Sequence, residues 1–387
     1  MTHTILLTNG TVVTPEGVLE NTDLFVKDGI IEEIATSIER EADEVIQAKG
    51  RYIFPGFIDM HIHGAAGADV MDATEEALET MANVLPKEGT TSFLATSMTQ
   101  SPKAIEAAMK NVASFSTKPG QAQMIGLHLE GPFVSPKRAG AQPLEHICPP
   151  DAEQFDVWQR ASGDKIKMVT LAPEEPNGLS FIHKLASEGI VASMGHTDAT
   201  VAQMEEAVKA GALQATHLYN QMSPFHHREP GAIGGVLLAD ELSAEVIADF
   251  IHSHPKAVEL AYRVKGPDRI ILITDAMRAK GLEPGEYELG GQPVHVSEKD
   301  ARLQDGTLAG SILTMENAVK NMVSILNLSP LEVAKISSGN AARQLGLTQK
   351  GSLAVGNDAD IVILDKEWSI IQTVCGGVTG YERNAEG

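Results

Sequence analysis

Histidines and carboxylates recur at the ends of apolar, strand-like runs in this chain. They stand in Asp59-Met60-His61-Ile62-His63, in His128-Leu129-Glu130 before Gly131-Pro132, in Met194-Gly195-His196 and in Thr216-His217. A further run, Ile270 to Thr274, delivers Asp275. Residues two apart in an extended segment point to the same side, so His61 and His63 can reach one ion together. A lone His-x-His is weak evidence, but Pro55-Gly56-Phe57-Ile58-Asp59 precedes this pair and Gly64 follows it. A buried carboxylate such as Glu130 is costly unless matched, and ligation to a metal matches it directly. Neutral imidazoles at His196 and His217 suit Zn²⁺ or Fe²⁺. Five side chains, His61, His63, Glu130, His196 and His217, suffice for two ions sharing a bridging oxygen. Asp275 then fits an acid–base role, taking a proton from an activated water and returning it to a leaving group. Each residue read singly has a plainer role: incidental strand-end histidines, a salt-bridged Glu130, an Asp275 that caps a helix. Their shared position at strand ends favours the joint reading. No cysteine lies among them, which points to an open catalytic site and away from a structural zinc site.

The stretch Asn220 to Gly231 after the sixth run is polar and broken by Pro and Gly. Asn220 and Arg228 in it suit hydroxyl or anionic groups, and the planar fork of Arg suits phosphate. His252 ends a seventh run and is a candidate for substrate contact. His226 and His227 read as surface-loop residues, His254 before Pro255 as structural, and His128 as a histidine of the barrel interior.

Such ligands need strands that bring their ends together. Eight runs qualify, near 57–61, 90–96, 124–130, 167–172, 190–195, 213–217, 245–251 and 269–274. Helical stretches at 75–85, 102–114, 151–161, 179–187, 198–210, 230–240 and 255–264 separate them, with an acid-rich helix start at Thr197 or Asp198. Strand–helix alternation is shared by an open doubly wound sheet, which gathers its site at one switch point. Candidate residues here follow six different strands, so the ends must converge on one axis, as in a (β/α)8 barrel. Short apolar runs with tight turns at both chain ends share a second texture, predicting one small β-sandwich. The expected domains are 1–54 and 351–387 for the two sandwich pieces and 55–350 for the barrel.

At 387 residues the chain has room for a large and a small domain. Its net charge of −22 argues against nucleic-acid and anionic-membrane partners, which need basic patches. Cys148 and Cys375, far apart, read as reduced thiols. With no basic, apolar leader at Met1 to Gly10 and no spanning run, a cytoplasmic protein is expected.

The segments PGFIDMHIHG, GTTSFLAT, GLHLEGPFVSPKRAGAQP, ASMGHTDA, THLYNQMSPFHHREPG, IHSHP, ILITDAMRAKG and DGTLAGS together resemble the amidohydrolase superfamily, and within it the N-acetylglucosamine-6-phosphate deacetylase family. GSLAVGNDADIVIL resembles the returning sandwich segment. The resemblance implies metal-dependent hydrolysis of the acetamide of N-acetylglucosamine 6-phosphate to glucosamine 6-phosphate and acetate. It implies a principal ion at Glu130, His196 and His217, a second at His61 and His63 with Glu130 bridging, and Asp275 as acid–base. Some members lack the His-x-His pair and use one ion, so one or two divalent ions are expected here, Zn²⁺ or Fe²⁺ first and Mn²⁺ or Co²⁺ as alternatives. Asn220, Gln221, Arg228 and His252 would meet the sugar phosphate, with Leu308 and Ala309 bordering the pocket. Members are typically homodimers, and Arg228 would then serve the neighbouring subunit's phosphate site. This chain departs at Gln221, where many members have Ala, and at Phe250, where Gly is common. Rival readings are a cyclic amidase, a nucleobase deaminase or a non-catalytic sugar-phosphate sensor. Cyclic amidases generally bridge their ions with a lysine after strand four, and Val169-Thr170-Leu171-Ala172-Pro173 offers none.

Overall fold

The computed structural model describes residues 3–383. The outermost residues of the expected sandwich pieces, 1–2 and 384–387, and that part of the leader reading, lie outside it. Eight parallel strands pair in chain order: Phe57–Ile62, Thr90–Ser97, Gln123–Glu130, Ile166–Leu171, Val191–Met194, Gln214–Ala215, Ser243–Ile247 and Ile270–Ile273. The first meets the continuation of the eighth through a parallel bridge of Ile62 with Ala276. Asp275 N donates to His61 O at 2.8 Å and His63 N to Ala276 O at 2.9 Å. The sheet is thus a (β/α)8 barrel and not an open sheet. Strands covered on both faces cannot alternate apolar with polar; every residue of Thr90–Ser97 is buried, which is why these strands read as unbroken runs.

Helix starts follow local chemistry. Thr74 caps Glu75–Val84 by accepting from Ala77 N, and Ser101 caps Pro102–Ser114 with Pro at the first position. The helix expected from residue 198 begins instead at Val201. Its start is a capping box between Thr200 and Gln203, while Thr197 and Asp198 are held by Glu174. The seventh strand ends at Ile247, short of the expected 251, because the Asp249 carboxylate accepts from Ile251 N and His252 N and closes a turn.

Between Asp275 and residue 350 the sequence offers no clear strand or helix signal. There a three-stranded antiparallel sheet forms from Gly285–Leu289, Gln292–Val296 and Ala301–Leu303. The helix Met315–Leu326, capped by Thr314, follows. Among the described residues no helix is long and apolar enough to cross a membrane.

The second large sheet takes strands from both chain ends. Its order runs 378–382, 370–375, 361–364, 52–55, 4–14, 17–27, 30–35. The long strand Thr4–Thr14 has register breaks between Leu7, Gly10 and Val12. Its first half pairs with Glu44–Gln47 and its second with Tyr52–Pro55, so the bulge folds the sheet over. Ile5, Leu24, Ile31, Ile53, Ile361 and Val374 fill the fold as a core separate from the barrel's. Tyr52–Pro55 pairs antiparallel with Ile361–Leu364 and runs through Gly56 into the first barrel strand. Gly56 has no room for a Cβ, which would fall 2.0 Å from Thr91 Oγ1.

Candidate metal centre and catalytic cavity

The six residues read as ligands or acid–base group converge at the carboxyl ends of the barrel strands. His61, His63 and Asp275 form one group of ligand atoms, and Glu130, His196 and His217 a second, each within 4.8 Å and entirely buried. Glu130 joins the groups: Oε1 lies 3.1 Å from His217 Nε2, 3.3 Å from His196 Nε2 and 3.5 Å from His61 Nε2. Its Oε2 is 3.2 Å from His63 Nε2. Asp275 Oδ1 sits 3.4 Å from His61 Nε2 and 3.3 Å from His63 Nε2.

Backbone turns aim these side chains. His196, His217 and Asp275 follow strands five, six and eight with φ of 48°, 31° and 49°. That left-handed region is uncommon outside glycine and concentrates at functional sites. For Asp275 the turn is held from both sides, since Asp275 N is bonded to His61 O and Ser311 N donates to Asp275 O at 2.7 Å. Thr274 before it is clamped: its hydroxyl donates to Asp59 Oδ2 at 2.6 Å and its carbonyl accepts from Ser311 Oγ at 2.6 Å. Phe250 and Gln221, the two departures from the family pattern, also have positive φ, 63° and 50°, which a glycine at 250 would adopt without cost.

The ring nitrogens facing away from the centre set its chemistry. His61 Nδ1 lies 3.0 Å from Glu245 Oε2, His63 Nδ1 3.2 Å from Thr96 O and His196 Nδ1 2.8 Å from Arg138 O. These acceptors hold protons on Nδ1 and leave three Nε2 atoms facing inward, where loss of any Nε2 proton exposes a lone pair to a cation. Among the described residues His61 Nε2 is buried with no hydrogen-bond partner, and His196 Nε2 stands 3.2 Å from His217 Nε2. Converging nitrogen lone pairs and two carboxylates fit bound divalent cations.

The electrostatics agree. Burial opposes a charged His63, yet hydrogen bonds and charge from Asp275 and Glu130 hold it up to about 10. Burial likewise opposes a charged His61, which Asp275, Glu130 and Glu245 hold well above the usual range. Against its own burial, Glu130 is kept well below the carboxylate range by His61 and by hydrogen bonds from His196 and His217. Asp275, also against burial, is lowered by His61 and His63. His128 is pushed the other way by burial and by His61. With Nε2 2.7 Å from Thr170 Oγ1, it is a neutral histidine of the barrel interior, as the sequence suggested.

The cluster forms the floor of a cavity of about 370 Å³. Asn220, Gln221, His252 and Leu308 reach its wall. Arg228 lies on the exposed part of its loop, with Nη1 2.9 Å from His227 Nε2. Ala309 is fully buried in a cluster with Met277 and Val294, behind the wall. His254 caps the helix Pro255–Lys265. Three residues escaped the sequence reading. Gln142, within a motif already quoted, donates to Glu130 Oε2 at 2.8 Å and accepts from Thr99 N at 2.9 Å. Arg302, on the third strand of the small sheet, is the sole lysine or arginine on the cavity wall among the described residues. Glu245 lies inside the seventh strand, at the residue where the sequence reading began that strand.

The family model described as "Amidohydrolase family" matches residues 52–380. The chain is 54% identical over 381 residues to the N-acetylglucosamine-6-phosphate deacetylase of Lysinibacillus sphaericus, covering 98% of both chains. It is 49% identical over 384 residues to that of Bacillus subtilis (strain 168), covering 97% of both. Among solved structures, it is similar to a mutant N-acetyl-D-glucosamine-6-phosphate deacetylase from Mycobacterium smegmatis in complex with N-acetyl-D-glucosamine-6-phosphate. That match has a TM-score of 0.91 and 31% identity, over 98% of this chain and 99% of the other.

Proposed function

The chain belongs to the amidohydrolase family, and from that premise we propose that it hydrolyses the acetamide of N-acetyl-D-glucosamine 6-phosphate to D-glucosamine 6-phosphate and acetate. The observation that carries the reading is one cavity holding a buried, cation-demanding cluster with Asp275 at its floor.

Glu130, His196 and His217 would hold one divalent cation, and His61 and His63, with Glu130 between the groups, a second; Zn²⁺ or Fe²⁺ suits these donors first. Bound there, such ions polarise an acyl oxygen and make a water acidic near neutral pH. Asp275, kept ionised by His61 and His63, accepts the attacking water's proton at its carboxylate and passes it to the departing amine nitrogen. Its backbone clamp keeps that carboxylate aimed at one point. Asn220, Gln221 and His252 bind the sugar, and Leu308 closes one side. His252 Nδ1 is engaged by Asp249 Oδ2 at 2.6 Å, so its Nε2 is left for substrate. Arg302 matches the phosphate, since the chain is acidic overall and this is the cavity's arginine.

Arg228, exposed and outside its own cavity, would act across a homodimer on the neighbouring site. Mixing His252→Asn subunits with Arg228→Ala subunits then restores part of the activity; confirmed mixed dimers without restoration count against sharing. The setting proposed is cytoplasmic amino-sugar catabolism and cell-wall sugar recycling.

The test is acetate release from N-acetylglucosamine 6-phosphate by protein reconstituted with Zn²⁺ or Fe²⁺. Binding of the sugar phosphate without turnover would replace the enzyme reading by a sensor. Neither binding nor turnover would sink both.

A further inference from the structure

Behind the cavity floor, the seventh barrel strand carries a carboxylate with no lysine or arginine beside it among the described residues. Glu245, within Ser243–Ile247, is 0% exposed. Its Oε2 is 3.0 Å from His61 Nδ1 and accepts from His217 N at 3.1 Å, and its Oε1 accepts from Gln214 Nε2 at 2.7 Å. His61 is its one ion-pair partner among the described residues.

Those three hydrogen bonds do not require a charge, because a glutamine oxygen accepts from the same donors. A carboxylate buried without a lysine or arginine is costly, and the imidazole of His61 is the ionisable group placed to match it. His61 Nδ1 donates a hydrogen bond to Glu245 and turns Nε2, buried and without a hydrogen-bond partner among the described residues, into the cluster. A carboxylate behind an imidazole fixes its tautomer and orientation and strengthens it as a donor to a cation. No other histidine of the cluster has such backing. His63 and His196 face backbone carbonyls, and His217 Nδ1 has no partner. Through His61 and the His217 backbone, one carboxylate also touches both ligand groups.

We propose that Glu245 is the positioning residue that equips the His61 and His63 pair to hold its own divalent cation beside the one at Glu130, His196 and His217. The inference rests on the reading of the cluster as a metal centre.

Chelator-treated wild type and Glu245→Gln are titrated with Zn²⁺ against a competing fluorescent chelator, and bound zinc is counted after desalting. Wild type takes up two ions per chain. Glu245→Gln keeps one with affinity within about threefold and binds the other about 10–100-fold more weakly. In a His61→Asn background the same substitution changes zinc binding no further, because the partner through which Glu245 acts is gone. If Glu245→Gln does not accumulate folded, Glu245→Asp serves, keeping the charge but withdrawing it by one methylene; the same selective loss is expected. Equal weakening of both ions, unchanged binding, or a wild type that takes up one ion each overturns the proposal. A wild type that binds no zinc overturns the metal centre itself, a distinguishable failure.

Discussion

Asp275 is a carboxylate whose backbone is fixed before its side chain does anything. Asp275→Asn preserves shape and hydrogen-bonding reach but cannot take up the water's proton. It should lower kcat by about 10²–10⁴-fold with metal content unchanged; a near-normal rate would remove the acid–base assignment. Glu130→Ala should cost metal as well as rate, because the Glu130 carboxylate lies against the inward-facing Nε2 atoms of all four histidines, and elemental analysis of the purified variant checks it. The raised His63 gives a pH prediction. Without an ion the ring stays protonated up to about pH 10, so cation binding must expel at least one proton. Uptake of zinc in weak buffer should acidify the solution, and below about pH 10 affinity should rise about tenfold for each unit by which pH is raised, per proton released. In ion-free protein that shift adds stability that is complete below the ordinary value of 6.5 and is lost as pH rises through about 10. The convergence of these residues was legible in the sequence because all of them close apolar runs, although each alone has a plainer structural role. Glu245 was not, because inside a run of buried residues its inward direction depends on the barrel. Gln142 and Arg302 lie on loop and hairpin, where no periodicity says what they face.

Among elements, the segment after the eighth strand supports the site most directly. Gly310, at φ 63°, lets Ser311 reach back to the Asp275 carbonyl, and a Cβ there would fall 3.0 Å from Asp275 O. Gly310→Ala should cost about 1 kcal/mol of stability from backbone strain and lower kcat more than it raises KM, measured by thermal melts and steady-state kinetics. The small antiparallel sheet brings Arg302 to the cavity. Its guanidinium is braced by Asp300 Oδ2 at 2.6 Å and Gly306 O at 2.8 Å. Arg302→Gln should raise KM for the phosphorylated sugar about 10–100-fold, as loss of a charge-assisted contact does. Hydrolysis of unphosphorylated N-acetylglucosamine should barely change; equal loss on both substrates would return phosphate recognition to other groups. The barrel strands were legible because full burial makes them continuously apolar. This sheet was not: Gly285–Leu289 and Gln292–Val296 are half exposed and polar, so their pattern reads as loop.

For the whole molecule, matching textures at the two chain ends anticipated one shared sheet, although no pairing could be read from them. The seam is Tyr52–Pro55 against Ile361–Leu364. Deleting 361–383 would leave Tyr52–Pro55 an open edge and uncover Ile361, Ile363 and Val374's partners in the sandwich core. The shortened chain should be insoluble or bind 1-anilinonaphthalene-8-sulfonate strongly; a soluble, zinc-binding product would show the barrel independent of the sheet.

That seam also sets an order of events during synthesis. The strand Tyr52–Pro55, which continues toward His61 and His63, leaves the ribosome long before its neighbour Ile361–Leu364. The sheet can close only once the whole barrel between the two strands has been made, a long-range pairing of the kind that slows folding. A chain cut short in synthesis therefore carries both histidines of the pair but not the strand that braces their approach.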